Sequence, residues 1–315
     1  MRRTTLWIAL LAGTMLSTGC PEGGPGDQQQ DAAVQKDAST HNDGTVQDDG
    51  TTGGDSDVDG TVTGVQTMTV EEFYTNQMDG WYNRGGHLFD MRADTDWAAA
   101  HIPGADNLPL DLSWDNGALT SYGSSTLSAM VRVQDLPLAF YGAASDEATI
   151  MQVAQAALDM GYTDVWVIVG GIEAWRAAHH FEDIEIGSLY NDHYGPIPND
   201  EYIIDADHAA DYEEGHIAGA LLLDAEEVWD GNSGSLVDNG QALIDLTHCS
   251  QNPPSTVIFY CLNEACGASV VLAKATEKIS CFDNTQILHF AGGRDAWTDA
   301  GYPIACGAQP NGPCN

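Results

Sequence analysis

"HLFDMRADTDWAAAHIPGA", His87 to Ala105, returns 115 residues later as "YIIDADHAADYEEGHIAGA", Tyr202 to Ala220. Asp90 aligns with Asp205, Trp97 with Tyr212, His101 with His216 and Gly104 with Gly219. The match continues downstream. "LAFYG" (Leu138 to Gly142) aligns with "VIFYC" (Val257 to Cys261), and "VGGIEAWRAA" (Val169 to Ala178) with "AGGRDAWTDA" (Ala291 to Ala300). A period this long is a whole domain duplicated, not the short unit of a solenoid.

Each copy alternates short apolar strands with helical stretches. "HLFDM" and "YIIDA" read as strands. "ATIMQVAQAALDMGY" carries apolar residues at helical spacing and closes at Gly161. "VWVIVGG" reads as a buried strand ending in a glycine pair. Strand and helix in alternation predict an α/β fold, each copy a mostly parallel sheet flanked by helices. Ligands of such sheets sit beyond the carboxyl ends of the strands. "VIFYCLNEACGAS", Val257 to Ser269, delivers Cys261 to that edge, with Cys266 five residues behind it. In the first copy Gly142 stands where this cysteine would be, and no cysteine occurs between residues 21 and 248. The first copy is therefore expected to be inactive in thiol chemistry.

The charge balance is lopsided. Across 315 residues, 10 Lys+Arg stand against 47 Asp+Glu, a formal net charge of -37. Such a surface repels phosphate backbones, which argues against nucleic-acid binding, and it disfavours docking on anionic lipid. The N-terminus reads as an export signal. Arg2 and Arg3 precede a short apolar run, Leu6 to Leu16, and small residues Ser17, Thr18 and Gly19 lead to Cys20. The expected organisation is a signal peptide over residues 1–19, a disordered acidic linker over 20–65, a first domain over 66–181 and a second over 182–315 with a cysteine-rich tail. The linker is poor in large apolar side chains and cannot offset its ordering entropy by burial. Its "DSDVDG" (Asp55 to Gly60) copies half of a calcium loop, but Gln66 stands where the final Glu belongs. A solvated linker is the expectation there.

The strand ending in Asp, the "H-I-x-G-A" turn, the strand–Cys–loop–helix unit and "GG-x-x-A-W", in this order and twice over, resemble the rhodanese family. The resemblance covers residues 66 to 305. It implies two tandem rhodanese-like domains, the first inactive and the second sulfurtransferase-like, with no metal and no organic cofactor. It also implies that Cys261 is a nucleophile taking a sulfane sulfur from a small donor, 3-mercaptopyruvate or thiosulfate, as a persulfide for a thiol acceptor. The backbone of the loop Asn263, Glu264, Ala265, Cys266, Gly267 and Ala268 would stabilise the sulfur's charge, where family members often use a basic residue. This loop has one acid and no base, so thiosulfate recognition is in doubt. Lys274 and Lys278 lie on the following helix, and Arg294 is the candidate donor contact. A phosphatase of this fold needs an arginine six residues after the cysteine; Gly267 is there, which excludes that chemistry. The signal resembles that of a bacterial lipoprotein, departing from it at Ser17. Lipidation at Cys20 would make a lipid anchor the protein's link to the membrane, at the outer membrane or periplasmic face of a Gram-negative cell.

Export permits disulfides. Cys306 and Cys314 bracket a turn-rich tail and are expected to pair, and Cys249 with Cys281. Cys261 and Cys266 are left as working thiols. Cys266 is either a resolving thiol or permanently bridged, so a thiol–disulfide redox protein is one alternative. A rhodanese-fold binding module without catalysis is another. His101 and His216 recur in both copies, the cysteine-free one included, and are expected to be structural. Trp175 and Trp297 are expected in the core, and Asp90 and Asp205 at strand ends.

Overall fold

The structure is a computed structural model and describes residues 64–195 and 200–314. The signal segment, Cys20 and "DSDVDG" lie outside the described residues.

The first sheet contains β1 (Gln66–Thr69), β2 (His87–Asp90), β3 (Asp106–Asn107), β4 (Leu138–Tyr141) and β5 (Val165–Val169), in the order β1-β5-β4-β2-β3. The second contains β6 (Glu182–Asp183), β7 (Glu201–Asp205), β8 (Leu221–Leu222), β9 (Thr256–Tyr260) and β10 (Gln286–His289), in the order β8-β7-β9-β10-β6. Every pairing within these sheets is parallel. Strand for strand the two orders are the same, which is the duplication in three dimensions. The central strands β4 and β9 are buried along their whole length. That burial explains why "LAFY" and "TVIFY" are continuous apolar runs rather than alternating ones.

The longer helices are α1 (Ser121–Met130), α2 (Glu147–Asp159), α3 (Gly171–Ala177), α4 (Gln241–Thr247), α5 (Ala268–Thr276) and α6 (Gly293–Asp299). Helix α2 buries Ile150, Val153, Ala154 and Ala157, one face at helical spacing. These pack with Phe89, Phe140 and Val167 from the sheet. A second apolar cluster runs continuously through both copies, from Phe73 and Trp175 to Phe259 and Leu272. No described helix is long and apolar enough to cross a membrane.

The glycine pairs fix the strand tips. Gly171 and Gly293 open α3 and α6 with φ of +56° and +61°. A side chain at either would collide with the carbonyl of Gly142 or Cys261. The next residue's N–H donates to that same carbonyl: Ile172 to Gly142 at 3.0 Å, Arg294 to Cys261 at 2.9 Å. Each glycine pair thus lets a helix start directly on the tip of the central strand.

The repeated histidines are structural, as expected. Nδ1 of His101 lies 2.9 Å from the Trp97 carbonyl, and Nδ1 of His216 lies 2.8 Å from that of Tyr212. Their backbones also serve as clasps. His101 exchanges both backbone hydrogen bonds with Asp183, at 3.0 and 2.8 Å, and His216 pairs with Ala305. Cys249 bridges Cys281 and Cys306 bridges Cys314, the two expected pairings.

A candidate thiol site at the tip of the second sheet

Strand β9 ends at Tyr260, and Cys261 follows as the first residue of the loop that feeds α5. Five buried strand residues hold its backbone, and its side chain is only 1% exposed. Cys266 is half-buried on the far side of the loop. The two are joined by a disulfide with Cα atoms 6.3 Å apart. The structure thus shows Cys266 in its bridged form, and it is close enough to Cys261 to act as a resolving thiol once reduced.

In this bridged form the loop does not present a ring of amides to the sulfur. The carbonyl oxygens of Cys266 and Asn263 lie 3.2 and 4.0 Å from Cys261 Sγ. The Cys266 N–H donates to the Asn263 carbonyl, and the Ala265 N–H to Asn263 Oδ1. Asn263 Nδ2 is in turn tied to Asp295 at 2.9 Å. Glu264, Ala265 and Gly267 are exposed, and Ala268 opens the helix.

A hydroxyl reaches the sulfur from below. Ser269 Oγ, on the first turn of α5, is 3.3 Å from Cys261 Sγ and 3.0 Å from His289 Nε2. His289 Nδ1 is 2.7 Å from Asp183 Oδ1. Neither His289 nor Asp183 was expected at the site. The signal was present in the repeat: His289 takes the place that Val167 holds in the first copy, a polar residue at the buried end of its strand, after Ile287 and Leu288.

Arg294 is at the site, but its side chain is engaged with backbone. Nη1 donates to the carbonyls of Asp211 and Gly215. The first copy performs the equivalent task from another element. There Arg92 Nη2 donates to the Ala100 carbonyl and pairs with Asp90, both at 2.6 Å. Asp207 stands where the repeat would place Arg92. The second domain therefore exchanges a buried ion pair for two neighbouring carboxyls, Asp205 and Asp207.

This exchange has an electrostatic consequence. Burial, and then the Asp207 charge, push the Asp205 carboxyl up to about 7. Burial raises Asp207 also, opposed by Arg294. Asp205 therefore favours its protonated form in the fold. Its stabilising contribution is complete below the unfolded value of about 3.9 and is lost as pH rises through about 7. Asp205→Asn is expected to gain stability relative to the parent as pH rises from 5 to 8, by about 1–3 kcal/mol. Chemical denaturation at several pH values measures it, and a gap independent of pH would contradict the assignment.

Asp207 Oδ1 lies 3.8 Å from Cys266 Sγ, and the donor atoms of Asp207, Cys261 and Cys266 all fall within 4.8 Å of one another. Both sulfurs are taken up in the bridge, and disulfide sulfur is not a thiolate ligand, so the three form a cysteine pair beside a carboxylate and not a metal site.

Rhodanese-like domain sequences match this chain at residues 69–178 and 191–300, both copies and most of its length. The chain belongs to the rhodanese family. No curated protein matches it at significant similarity. Among solved structures it is similar to a thiosulfate sulfurtransferase from Pseudomonas aeruginosa, at 20% identity and a TM-score of 0.27 over 80% of this chain and 46% of that one. It is similar also to EanB in complex with ergothioneine, at 15% identity and a TM-score of 0.35 over 80% and 65%. A third is YnjE, at 18% identity and a TM-score of 0.33 over 80% and 61%. The matched part is thus less than two thirds of each of those longer chains. Within this rhodanese-like pair, the first domain carries Gly142 and the second Cys261 at the equivalent tip.

Proposed function

We propose that the second rhodanese-like domain moves a sulfane sulfur from a small donor to a thiol through a persulfide on Cys261. The supporting observation is placement. A buried central strand ends on this thiol, and a loop carries it into a helix at the ligand-binding edge of a parallel sheet. The Cys261 thiolate attacks the donor sulfur. With 3-mercaptopyruvate the carbon–sulfur bond breaks and the carbon fragment leaves as the enolate of pyruvate, which takes up a proton. With thiosulfate the sulfur–sulfur bond breaks and sulfite leaves. An acceptor thiolate then attacks the outer sulfur and releases Cys261 as thiolate. The acids around the loop, Glu264, Asp207 and Asp295, favour the singly charged donor over the doubly charged one. In this reading Cys20 is the lipid anchor and residues 20–65 the tether at the outer membrane.

The Cys261–Cys266 bridge favours a second reading, thiol–disulfide exchange. The two share an intermediate. Attack of the Cys266 thiolate on the Cys261 sulfur of the persulfide expels hydrosulfide and forms the disulfide, which an external thiol must then reduce. Cys266→Ala separates them. The sulfurtransferase reading expects it to keep sulfur uptake on Cys261 and to lose oxidation of a dithiol peptide. Loss of sulfur uptake in Cys266→Ala would make the cysteine pair the working unit instead.

A further inference from the structure

We propose that Ser269, His289 and Asp183 form a buried proton relay that takes the proton from the Cys261 thiol. The proposal rests on the reading of Cys261 as the working nucleophile. It explains how a thiol in a loop without any base becomes a thiolate near neutral pH, when a free thiol titrates at about 8.5.

The four groups form one unbroken chain, Cys261 Sγ to Ser269 Oγ at 3.3 Å, Ser269 Oγ to His289 Nε2 at 3.0 Å, and His289 Nδ1 to Asp183 Oδ1 at 2.7 Å. All four residues are at most 8% exposed. The far end is fixed on both oxygens, because the Gly104 N–H donates to Asp183 Oδ2 at 3.0 Å. The His101 backbone clasps the Asp183 backbone as well. The histidine's anchor is therefore held by the cysteine-free domain, which gives that domain a part in the chemistry beyond packing.

The hydrogen bonds assign the tautomer. An ionised Asp183 only accepts, so Nδ1 carries the hydrogen and Nε2 is free to accept from Ser269. As the Cys261 proton moves to Ser269 Oγ, the serine's own proton moves to His289 Nε2. The products are a thiolate that accepts from Ser269 and an imidazolium held against the Asp183 carboxylate. No electrons are exchanged, and net charge is conserved. The relay serves reduction of the bridge too. An external thiolate attacks the more exposed Cys266 sulfur, the sulfur–sulfur bond breaks, and Cys261 leaves as thiolate beside the Ser269 hydroxyl. His289 and Asp183 touch no substrate and are positioning residues.

The titratable groups facing the sulfur are His289 through Ser269, Asp183 behind it, and Asp207 and Cys266 across the loop. The test uses the full chain with Cys266→Ala, reduced and then treated with iodoacetamide across pH 5.5 to 10. Peptide mass spectrometry follows alkylation of Cys261 alone. Adding His289→Gln or Ser269→Ala is expected to slow alkylation at pH 7 by roughly ten- to thirtyfold, because an unaided thiol of pKa about 8.5 is only about 3% ionised there. The rates should converge with the parent above pH 9, where the thiol ionises unaided, and Ser269→Thr should restore the parent profile. Parent-like rates at every pH, or a loss by the same factor at every pH, would overturn the relay. Should His289→Gln fail to fold, Ser269→Ala decides by the same criterion. Sulfur uptake at pH 9.5 keeps the two claims apart: uptake without a pH effect rejects the relay and leaves the sulfurtransferase reading standing.

Discussion

Cys261→Ala is expected to lower donor turnover by on the order of a thousandfold or more, the scale of losing a covalent nucleophile. No neighbour can replace it. In the first domain the equivalent tip is Gly142, and among the described residues the other cysteines are bridged. Cys249–Cys281 joins two elements away from the sheet edge, and Cys306–Cys314 closes the tail. Cys266 is the one thiol freed by this substitution, and it is half-buried with the Asp207 carboxyl beside it, whereas the Ser269 contact is made to Cys261. Release of pyruvate from 3-mercaptopyruvate, or of sulfite from thiosulfate, measures the effect. Turnover within about tenfold of the parent would show that the chemistry lies elsewhere.

The largest loss of stability is expected from Trp297→Ala, at about 3–5 kcal/mol. Trp297 has no exposed surface, and its indole N–H donates to the Pro303 carbonyl at 2.9 Å. Tyr194 and Tyr302 pack on it with ring centroids 5.0 and 4.9 Å away. Alanine leaves a cavity and removes the indole donor; the Pro303 carbonyl keeps its bond from the Ala218 N–H at 3.2 Å, so the cavity is the main cost. The same helix starts on the Cys261 carbonyl through Gly293 and Arg294, so sulfur uptake should fall with stability. Trp297→Phe retains most of the volume and should cost less. Denaturant unfolding gives both numbers. A fall in midpoint at unchanged slope is the expected form, and a cost near 1 kcal/mol would contradict the packing account.

The fold was legible because its determinants are local and were stated twice. Strands buried on both faces must be continuous apolar runs, and Gly171 and Gly293 must be glycines to pass the strand-tip carbonyls. The position of Cys261 followed from the same logic. What sequence reading missed was side-chain geometry across long separations. His289 and Asp183 are 106 residues apart and meet only because β6 and β10 are neighbours in the sheet. The arginine exchange was hidden for a related reason. Arg92 and Arg294 satisfy equivalent turn carbonyls from non-equivalent positions, so aligning the copies showed two unmatched arginines rather than one conserved task. Arg294 therefore read as a donor contact, whereas its side chain clamps the Asp211 and Gly215 carbonyls. Comparing the copies for polar intrusions into buried strands would have found His289, where Val167 marks the apolar default.

The central claim is that Cys261 receives sulfur. Its most direct test is to reduce the full chain, expose it separately to 3-mercaptopyruvate and to thiosulfate, and locate added sulfur by intact and peptide mass spectrometry. The account predicts one added sulfur on the Cys261 peptide, greater uptake from 3-mercaptopyruvate, and none in Cys261→Ala. No added sulfur from either donor, with the reduced protein instead re-forming only the Cys261–Cys266 bridge, would contradict it.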